Sequence, residues 1–339
     1  MPKPKHILVI RLSAMGDVAM SVPVLRAFSS QYPDIKLTVL TKPFFRPFFR
    51  DIPNIDVVGA QIRGKHKGIY GLWKLSRELR QLQFDVVADL HNVLRSKILK
   101  LFFLGKRIVQ IDKGRQEKRA LTSGKNFKQL KTTQQRYVDV FEKLGFPLDM
   151  SKPMFSEKTS LSSKYLDVIG NDTKRWIGIA PFAAFKGKMY PIDLMTTVVE
   201  ELAKTYKILL FGAGNSEAQV LEGIANKFEN VINLAGQFSL DEELDIISNL
   251  DLMLAMDSGN AHIAAMLGIK VVTVWGVTHP FAGFLPYNQN EDSTVLVNRT
   301  QYPKIPTSIY GNVLPQGYED VMRSISPEDI FSKIYETLK

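Results

Sequence analysis

Two spacings of apolar residues alternate along the first half of the chain. Short β-branched runs, HILVIRL (6–12), KLTVLT (36–41), IDVVGA (55–60), FDVVADL (84–90) and RIVQID (107–112), have the length and composition of buried strands. Apolar residues recur at helical spacing over 18–32, 69–82 and 132–144. Continuous apolar runs separated by amphipathic stretches predict a parallel sheet covered by helices on both faces.

The rhythm breaks over 146–173, where Pro147, Pro153 and several Ser intervene, and this stretch is expected to link two domains. It then restarts. RWIGIAP (175–181), YKILLFGA (206–213), NVINLA (230–235), DLMLAMD (251–257) and KVVTVWG (270–276) predict strands, with helical patterns at 191–204, 215–228, 240–249 and 258–267. A last helix is expected over 327–338, with Ser326 as its N-cap and Pro327 in its first position. The predicted fold class is α/β, with two Rossmann-like, doubly wound domains at 1–155 and 174–325 and a C-terminal helix at 326–339. Two such domains facing a central cleft would offer ligands the carboxyl ends of their strands.

Composition narrows the chemistry. The 339 residues contain no cysteine, which excludes disulfides, thiolate metal sites and a cysteine nucleophile. The five histidines form no H-x-x-x-H pair, so no protein-held zinc site is expected. No apolar run approaches the roughly 20 residues of a membrane span, and the opening apolar run, interrupted by Arg11, reads as a core strand rather than a signal peptide. Charge is uneven: residues 1–170 carry a net +17 and residues 171–339 a net −7. Between 95 and 136 there are 13 Lys and Arg against Asp112 and Glu117. A solvated basic face would look like this, and so would a surface facing nucleic acid, phospholipid or an acidic sugar.

Three strand-end loops carry candidate chemistry. In RLSAMGDV (11–18), Gly16 permits a close turn. Asp17 is either a carboxylate opening a helix or a general base. APFAAFKGKMYP (180–191) offers Lys186 and Lys188 just ahead of a helix, either as exposed loop cations or as phosphate ligands. In MDSGNAHIAAMLGI (256–269), a strand ends in Asp257, Ser258 and Gly259, and His262 lies one turn into the next helix. Backbone N–H groups at such a turn suit a diphosphate. FGAGNSE (211–217) does not complete the dinucleotide pattern G-x-G-x-x-G, because Glu217 stands at its third glycine.

These loops resemble glycosyltransferase family 9, the heptosyltransferases of lipopolysaccharide core synthesis. ILVIRLSAMGDV is similar to that family's opening strand and turn, and DSGNAHIAAMLGIKVVTVWG to its D-[ST]-G-x-x-H-x-A-A-x-x-G element. LAGQFSLDEEL (234–244) resembles the segment ahead of that element, and with PFAAFKGKMYP the match runs over about 6–276. The resemblance implies a GT-B fold with an acceptor domain first and a nucleotide-sugar domain second. It implies Asp17 as general base and Lys188 as the lysine neutralising the donor phosphates, both catalytic. Asp257, Ser258, Gly259 and His262 fall on the donor turn, Glu217 at the ribose hydroxyls and Phe238 beside the adenine. The implied reaction is metal-independent, inverting transfer from ADP-heptose to Kdo or heptose of the inner core, with no cofactor besides the donor.

Arg95 and Lys97, heading the basic segment, are the candidate contacts to an anionic glycolipid acceptor. The same charge suggests a cytoplasmic protein held peripherally at the inner membrane. The chain departs from the family at Ala183 and Ala184, where hydroxyl residues precede the lysine, and at Asn260. Another GT-B enzyme, a transferase or epimerase on a different nucleotide sugar, is the alternative. A basic nucleic-acid-binding protein is the non-enzymatic one, although no aromatic-basic stacking platform is evident around Phe102, Phe103 and Phe127, and no nucleic-acid partner is expected.

Overall fold

The structure is a computed structural model that describes residues 3–339. The chain begins β1 (His6–Ile10), α1 (Met15–Ala19), α2 (Val22–Gln31), β2 (Lys36–Thr41), β3 (Ile55–Gly59), α3 (Gly68–Arg80), β4 (Val86–Asp89) and α4 (Leu94–Leu101). β5 (Arg107–Gln110), α5 (Arg115–Thr122), α6 (Thr133–Leu144) and α7 (Ser163–Ile169) follow. Next come β6 (Trp176–Ala180), α8 (Ile192–Ala203), β7 (Lys207–Leu210), α9 (Gly214–Ala225), β8 (Val231–Asn233), α10 (Leu240–Ile247) and β9 (Leu252–Met256). α11 (Gly259–Met266), β10 (Lys270–Trp275), β11 (Thr294–Leu296) and α12 (Pro327–Leu338) complete the chain.

Two compact units result, one from Met1–Lys113 with Thr133–Phe155, the other from Gly114–Thr132 with Ser156–Lys339. The first holds a parallel sheet in the order β3-β2-β1-β4-β5, with Ile7 of β1 opposite Leu37 of β2 and Val86 of β4. One face of that sheet buries Leu8, Ile10, Leu40 and Val87 against Leu72, Leu75 and Leu79 of α3 and Leu99 of α4. Elsewhere in the unit α2 packs on α6, where Phe28 sits 4.9 Å from Phe141, ring centroid to centroid.

The second unit's sheet is also wholly parallel, in the order β11-β10-β9-β6-β7-β8. Counted from its own first strand this is the Rossmann order 3-2-1-4-5-6. Ile177, Ile179, Leu254 and Val272 are buried in its core, and α12 adds Ile330, Ile334 and Leu338 to the same cluster. The first unit is discontinuous in sequence, because Gly114–Thr132 clusters with the second. Leu121 and Leu130 bury there with Ala282, against Phe127, Phe281 and Phe284.

The helix expected over 18–32 is two helices. Pro23 lies in the first turn of α2, where its missing N–H costs nothing, but it cannot continue a helix begun upstream. Ser21 Oγ donates to the Val18 carbonyl at 2.6 Å and satisfies an acceptor freed by the break. Helices α4 and α5 within the basic segment, and α7 within the expected linker, are only seven or eight residues long, too short for apolar spacing alone to reveal them. No helix among the described residues is long and apolar enough to cross a membrane.

The predicted last helix is present with the predicted cap: Asp329 N–H donates to Ser326 Oγ at 3.1 Å, and Ser326 N–H to Asp329 Oδ2 at 3.3 Å. Ser326→Ala should lower stability by about 1 kcal/mol, measured as a shifted urea midpoint with an unchanged slope.

Candidate active site

In a doubly wound sheet, neighbouring crossovers leave in opposite directions at one point, and the carboxyl ends of the two strands there open a crevice. The first unit has this switch point between β1 and β4, the second between β6 and β9. Each carries a buried cation paired with a carboxylate.

At the β1 end, Arg11 is buried and donates through Nη1 to the Leu90 carbonyl at 2.6 Å, while its Nη2 lies 2.6 Å from Asp17 Oδ2. The Ala14 N–H donates to the same oxygen at 3.1 Å. Asp17, in the first turn of α1, is thus held by Oδ2, and its side chain remains about a third exposed (31%). Tyr137 of α6 donates to the Asp17 carbonyl at 3.1 Å and sits under the Arg11 guanidinium at 5.8 Å, with its own pKa raised by burial. Burial opposes the charge on Arg11, yet the pKa of Arg11 is raised because Tyr137 and Asp17 face it.

At the β4 end, Asp89 is fully buried. Its Oδ1 accepts from the His91 and Asn92 N–H groups at 3.0 and 2.8 Å, and its Oδ2 from Ser96 Oγ at 3.0 Å. Lys100 Nζ lies 2.5 Å from Oδ2. Asp89 therefore organises the turn into α4. His91 follows it, with a buried Nδ1 that has no hydrogen-bond partner. Arg95 and Lys97 are exposed on α4.

In the second unit Lys188 Nζ lies 2.8 Å from Asp257 Oδ2, bridging the ends of β6 and β9, and both side chains are about nine-tenths buried. Thr278 Oγ1 donates to the same carboxylate oxygen at 2.8 Å. A buried pair of this kind is tolerated only when neighbouring donors complete its hydrogen bonding. Two glycines make room for it. A Cβ on Gly276 would come within 2.1 Å of the Gly187 carbonyl, which accepts from Val277 N–H at 3.0 Å. Gly311, at φ +80°, leaves space for the Lys188 stem, since a Cβ there would lie 2.3 Å from Lys188 Cδ.

Ser258 is the N-cap of α11 yet makes no cap bond, and its buried Oγ has no hydrogen-bond partner. Gly259 and Asn260 open the helix and His262 is buried within its first turn. A lysine, a free hydroxyl and a helix N-terminus therefore converge on one turn, an arrangement suited to phosphate oxygens.

Glu217 and Phe238 lie in the connections that follow the neighbouring strands β7 and β8. The Glu217 Oε2 accepts from Ala213 N–H at 2.7 Å in the first turn of α9, and Phe238, half-buried, lies 5.7 Å from the Tyr165 ring. A cavity in this unit is lined by Phe182, Lys186, Tyr190, Ile192 and Met322 and includes neither Lys188 nor Asp257. The described residues contain no group of three or more His, Asp or Glu suited to a metal ion.

Sequence reading missed Arg11, Tyr137, Asp89, His91 and Thr278 as parts of these sites. Arg11 and Asp89 left a signal: a charge within an apolar strand run buried on both faces requires a partner.

A family model for glycosyltransferase family 9 (heptosyltransferase) matches residues 72–312. The chain is 27% identical over 305 residues to the lipopolysaccharide core heptosyltransferase OpsX of Haemophilus influenzae, covering 87% of this chain and 85% of that one. It is 25% identical to lipooligosaccharide heptosyltransferase 2 of the same organism, over 98% and 99% of the two chains. Among solved structures, the family 9 glycosyltransferase of Veillonella parvula superposes with a TM-score of 0.79 at 20% identity, covering 98% of this chain and 97% of that one. Escherichia coli ADP-heptose LPS heptosyltransferase II gives 0.69 at 20% identity, over 98% of each. Two parallel-sheet Rossmann-like units and these neighbours define a GT-B protein. The chain belongs to glycosyltransferase family 9 and is a glycosyltransferase.

Burial, with Arg11 and Lys113 nearby, depresses the His91 pKa to about 4, and burial beside Arg299 does the same for His279. Unfolded, both rings bind a proton near 6.5, so between these values the unfolded chain holds more protons. Stability from the neutral rings is complete above about pH 6.5 and is lost as pH falls to about 4. The urea midpoint should fall across that window, and less steeply in His91→Asn. Ring-proton NMR should place both titrations near 4.

Proposed function

We propose that the protein transfers heptose, with inversion, from ADP-heptose to Kdo or heptose of the lipopolysaccharide inner core. The observation that carries this reading is the Lys188–Asp257 pair beside the free Ser258 hydroxyl at the start of α11. The relatives named as lipopolysaccharide and lipooligosaccharide heptosyltransferases, and a structural neighbour named for ADP-heptose, support heptose as the sugar.

The reaction is a single displacement at the anomeric carbon. Asp17 Oδ1 takes the proton from the acceptor hydroxyl as the new C–O bond forms and the bond to the diphosphate breaks. Its other oxygen is engaged by Arg11 and the Ala14 N–H, so the carboxylate is oriented before substrate arrives. Negative charge grows on the departing ADP, and Lys188 with the α11 N-terminus stabilises it in place of a metal ion. Asp257 and Thr278 keep the Lys188 ammonium in position. Glu217 would hold the ribose hydroxyls and Phe238 the adenine, with His262 near the diphosphate and Gly259 allowing close approach.

Arg95 and Lys97 are assigned to the anionic acceptor, and the basic first half to peripheral association with the cytoplasmic face of the inner membrane. Ala183 and Ala184 offer the donor no hydroxyl, so Ser258 carries more of its hydrogen bonding.

Asp17→Asn should lower kcat by about 10²–10⁴-fold with ADP affinity unchanged in calorimetry. Near-wild-type turnover would remove the base assignment. Lys188→Ala should weaken ADP binding by roughly 10–100-fold, the effect of losing a charge-assisted contact worth about 1.5–3 kcal/mol. It should also lower Tm, because Asp257 is left buried without its counter-charge. Unchanged ADP affinity excludes Lys188 from the phosphate site. ADP release measured across a panel of nucleotide sugars tests the donor, and preference for a sugar other than heptose overturns it.

A further inference from the structure

The helices α3 and α4 pack against each other on the first unit's sheet and send Leu72, Leu75, Leu79 and Leu99 into one core. Their outer faces are unusual. On α3, Ile69, Tyr70 and Trp73 project into solvent with relative exposures of 67%, 76% and 40%. On α4 and the turn after it, Leu94, Leu101 and Leu104 are 74%, 68% and 83% exposed. Leu94, Lys97 and Leu101 follow the three- and four-residue spacing of one helical stripe, and Leu104 is exposed in the turn that follows. The α3 residues Tyr70, Trp73, Lys74 and Arg77 do the same. Single exposed leucines are ordinary, but a leucine stripe beside an exposed aromatic pair is not.

The charges around these side chains have one sign. Segments 61–80 and 94–107 contain eleven Lys and Arg; Lys100 turns inward to buried Asp89, and the other ten face the single carboxylate of Glu78, which pairs with Lys65. The Tyr70 and Trp73 rings stack at 5.6 Å, and the Arg77 guanidinium lies 5.4 Å over Trp73, so the aromatic pair is held in place on the surface. Leucines suited to the acyl boundary, aromatic rings at headgroup level and interspersed cations are the composition of an interfacial membrane contact. A nucleic acid would use the cations and rings but gain nothing from the leucine stripe. A protein partner would need carboxylates matched to these scattered cations, whereas an anionic bilayer meets any arrangement of them.

Position supports the same occupant. A helix that follows a parallel strand runs back along it, so the N-termini of α3 and α4 lie at the carboxyl edge of the sheet. Asp17 follows β1 at that edge. Ile69, Tyr70 and Leu94 occupy the first turns of their helices, with Trp73 one turn further along α3, and so lie toward the active edge of the unit.

We propose that the outer face of α3 and α4 docks on an anionic phospholipid bilayer, with Leu94, Leu101 and Leu104 entering the acyl boundary and Tyr70 and Trp73 at the headgroups. The contact is thereby placed on residues 69–104 rather than on the whole basic segment 95–136. It does not depend on the roles given to Asp17 or Lys188, because it is read without turnover.

The test is flotation of the full-length protein with glycolipid-free vesicles of phosphatidylglycerol and phosphatidylethanolamine, against vesicles of phosphatidylcholine alone. Binding to the anionic vesicles should exceed binding to the neutral ones by at least tenfold. L94S/L101S/L104S should lose at least tenfold of it while keeping wild-type ADP affinity, and Tyr70→Ser should lose less. Brominated acyl chains should quench wild-type fluorescence, and Trp73→Phe should abolish that quenching. The proposal fails if wild-type protein stays unbound, if the triple variant binds as wild type does, or if quenching persists without Trp73. It also fails if the triple substitution converts a dimer to a monomer, since the face would then meet a second copy of the chain.

Discussion

A cation taken out of water must be given a carboxylate and further hydrogen bonds, and this requirement shapes both units at the same topological place. In the first, Arg11 follows β1 and is met by Asp17 from the next turn and by the Leu90 carbonyl beyond β4. In the second, Lys188 follows β6 and is met by Asp257 at the end of β9, with Thr278 completing the carboxylate. The Lys188–Asp257 pair and the Arg11–Leu90 bond each cross between the strands at which the sheet order reverses, the one place where two carboxyl ends diverge enough to admit a ligand. The pairs cost desolvation, and packing of apolar residues around them contributes the stability.

The two pairs are built for different tasks. The Arg11–Asp17 pair leaves the carboxylate partly exposed and its cation sealed, so the group offered to solvent is a base with one oxygen already engaged. The Lys188–Asp257 pair is buried on both sides and adjoins a helix N-terminus whose serine cap is unused, so it offers positive potential and an unclaimed hydroxyl. Glycine at 276 and 311 is part of that second device. Each lets backbone or lysine stem pass where a methyl group would collide.

Asp89 illustrates how a chemistry-bearing residue can be wholly structural. Its four donors leave it no role toward substrate, yet it sets the turn from which α4 presents Arg95, Lys97 and the exposed leucines. Surface character in the first unit thus depends on a residue with no solvent exposure.

The amino-acid sequence by itself determined the α/β class, most strands, the capped last helix and the loops bearing Asp17, Lys188 and Ser258. Apolar spacing, cap residues and strand-end motifs are local properties, readable over a few residues. It did not determine the break at Pro23 as a split between two helices, nor α4 and α5, which at eight residues each are too short for a helical period to stand out. Only the tertiary structure decided the strand orders, and with them the partners of Arg11 and Lys188. Asp257 is far from Lys188 along the chain and Tyr137 far from Arg11. The tertiary structure also decided that Gly114–Thr132 joins the second unit, because Leu121 and Leu130 find their apolar surface at Phe281 and Ala282, residues that spacing within the segment does not reveal. Pairing of buried charge and apolar surface is a property of distant residues brought together, which no local window contains.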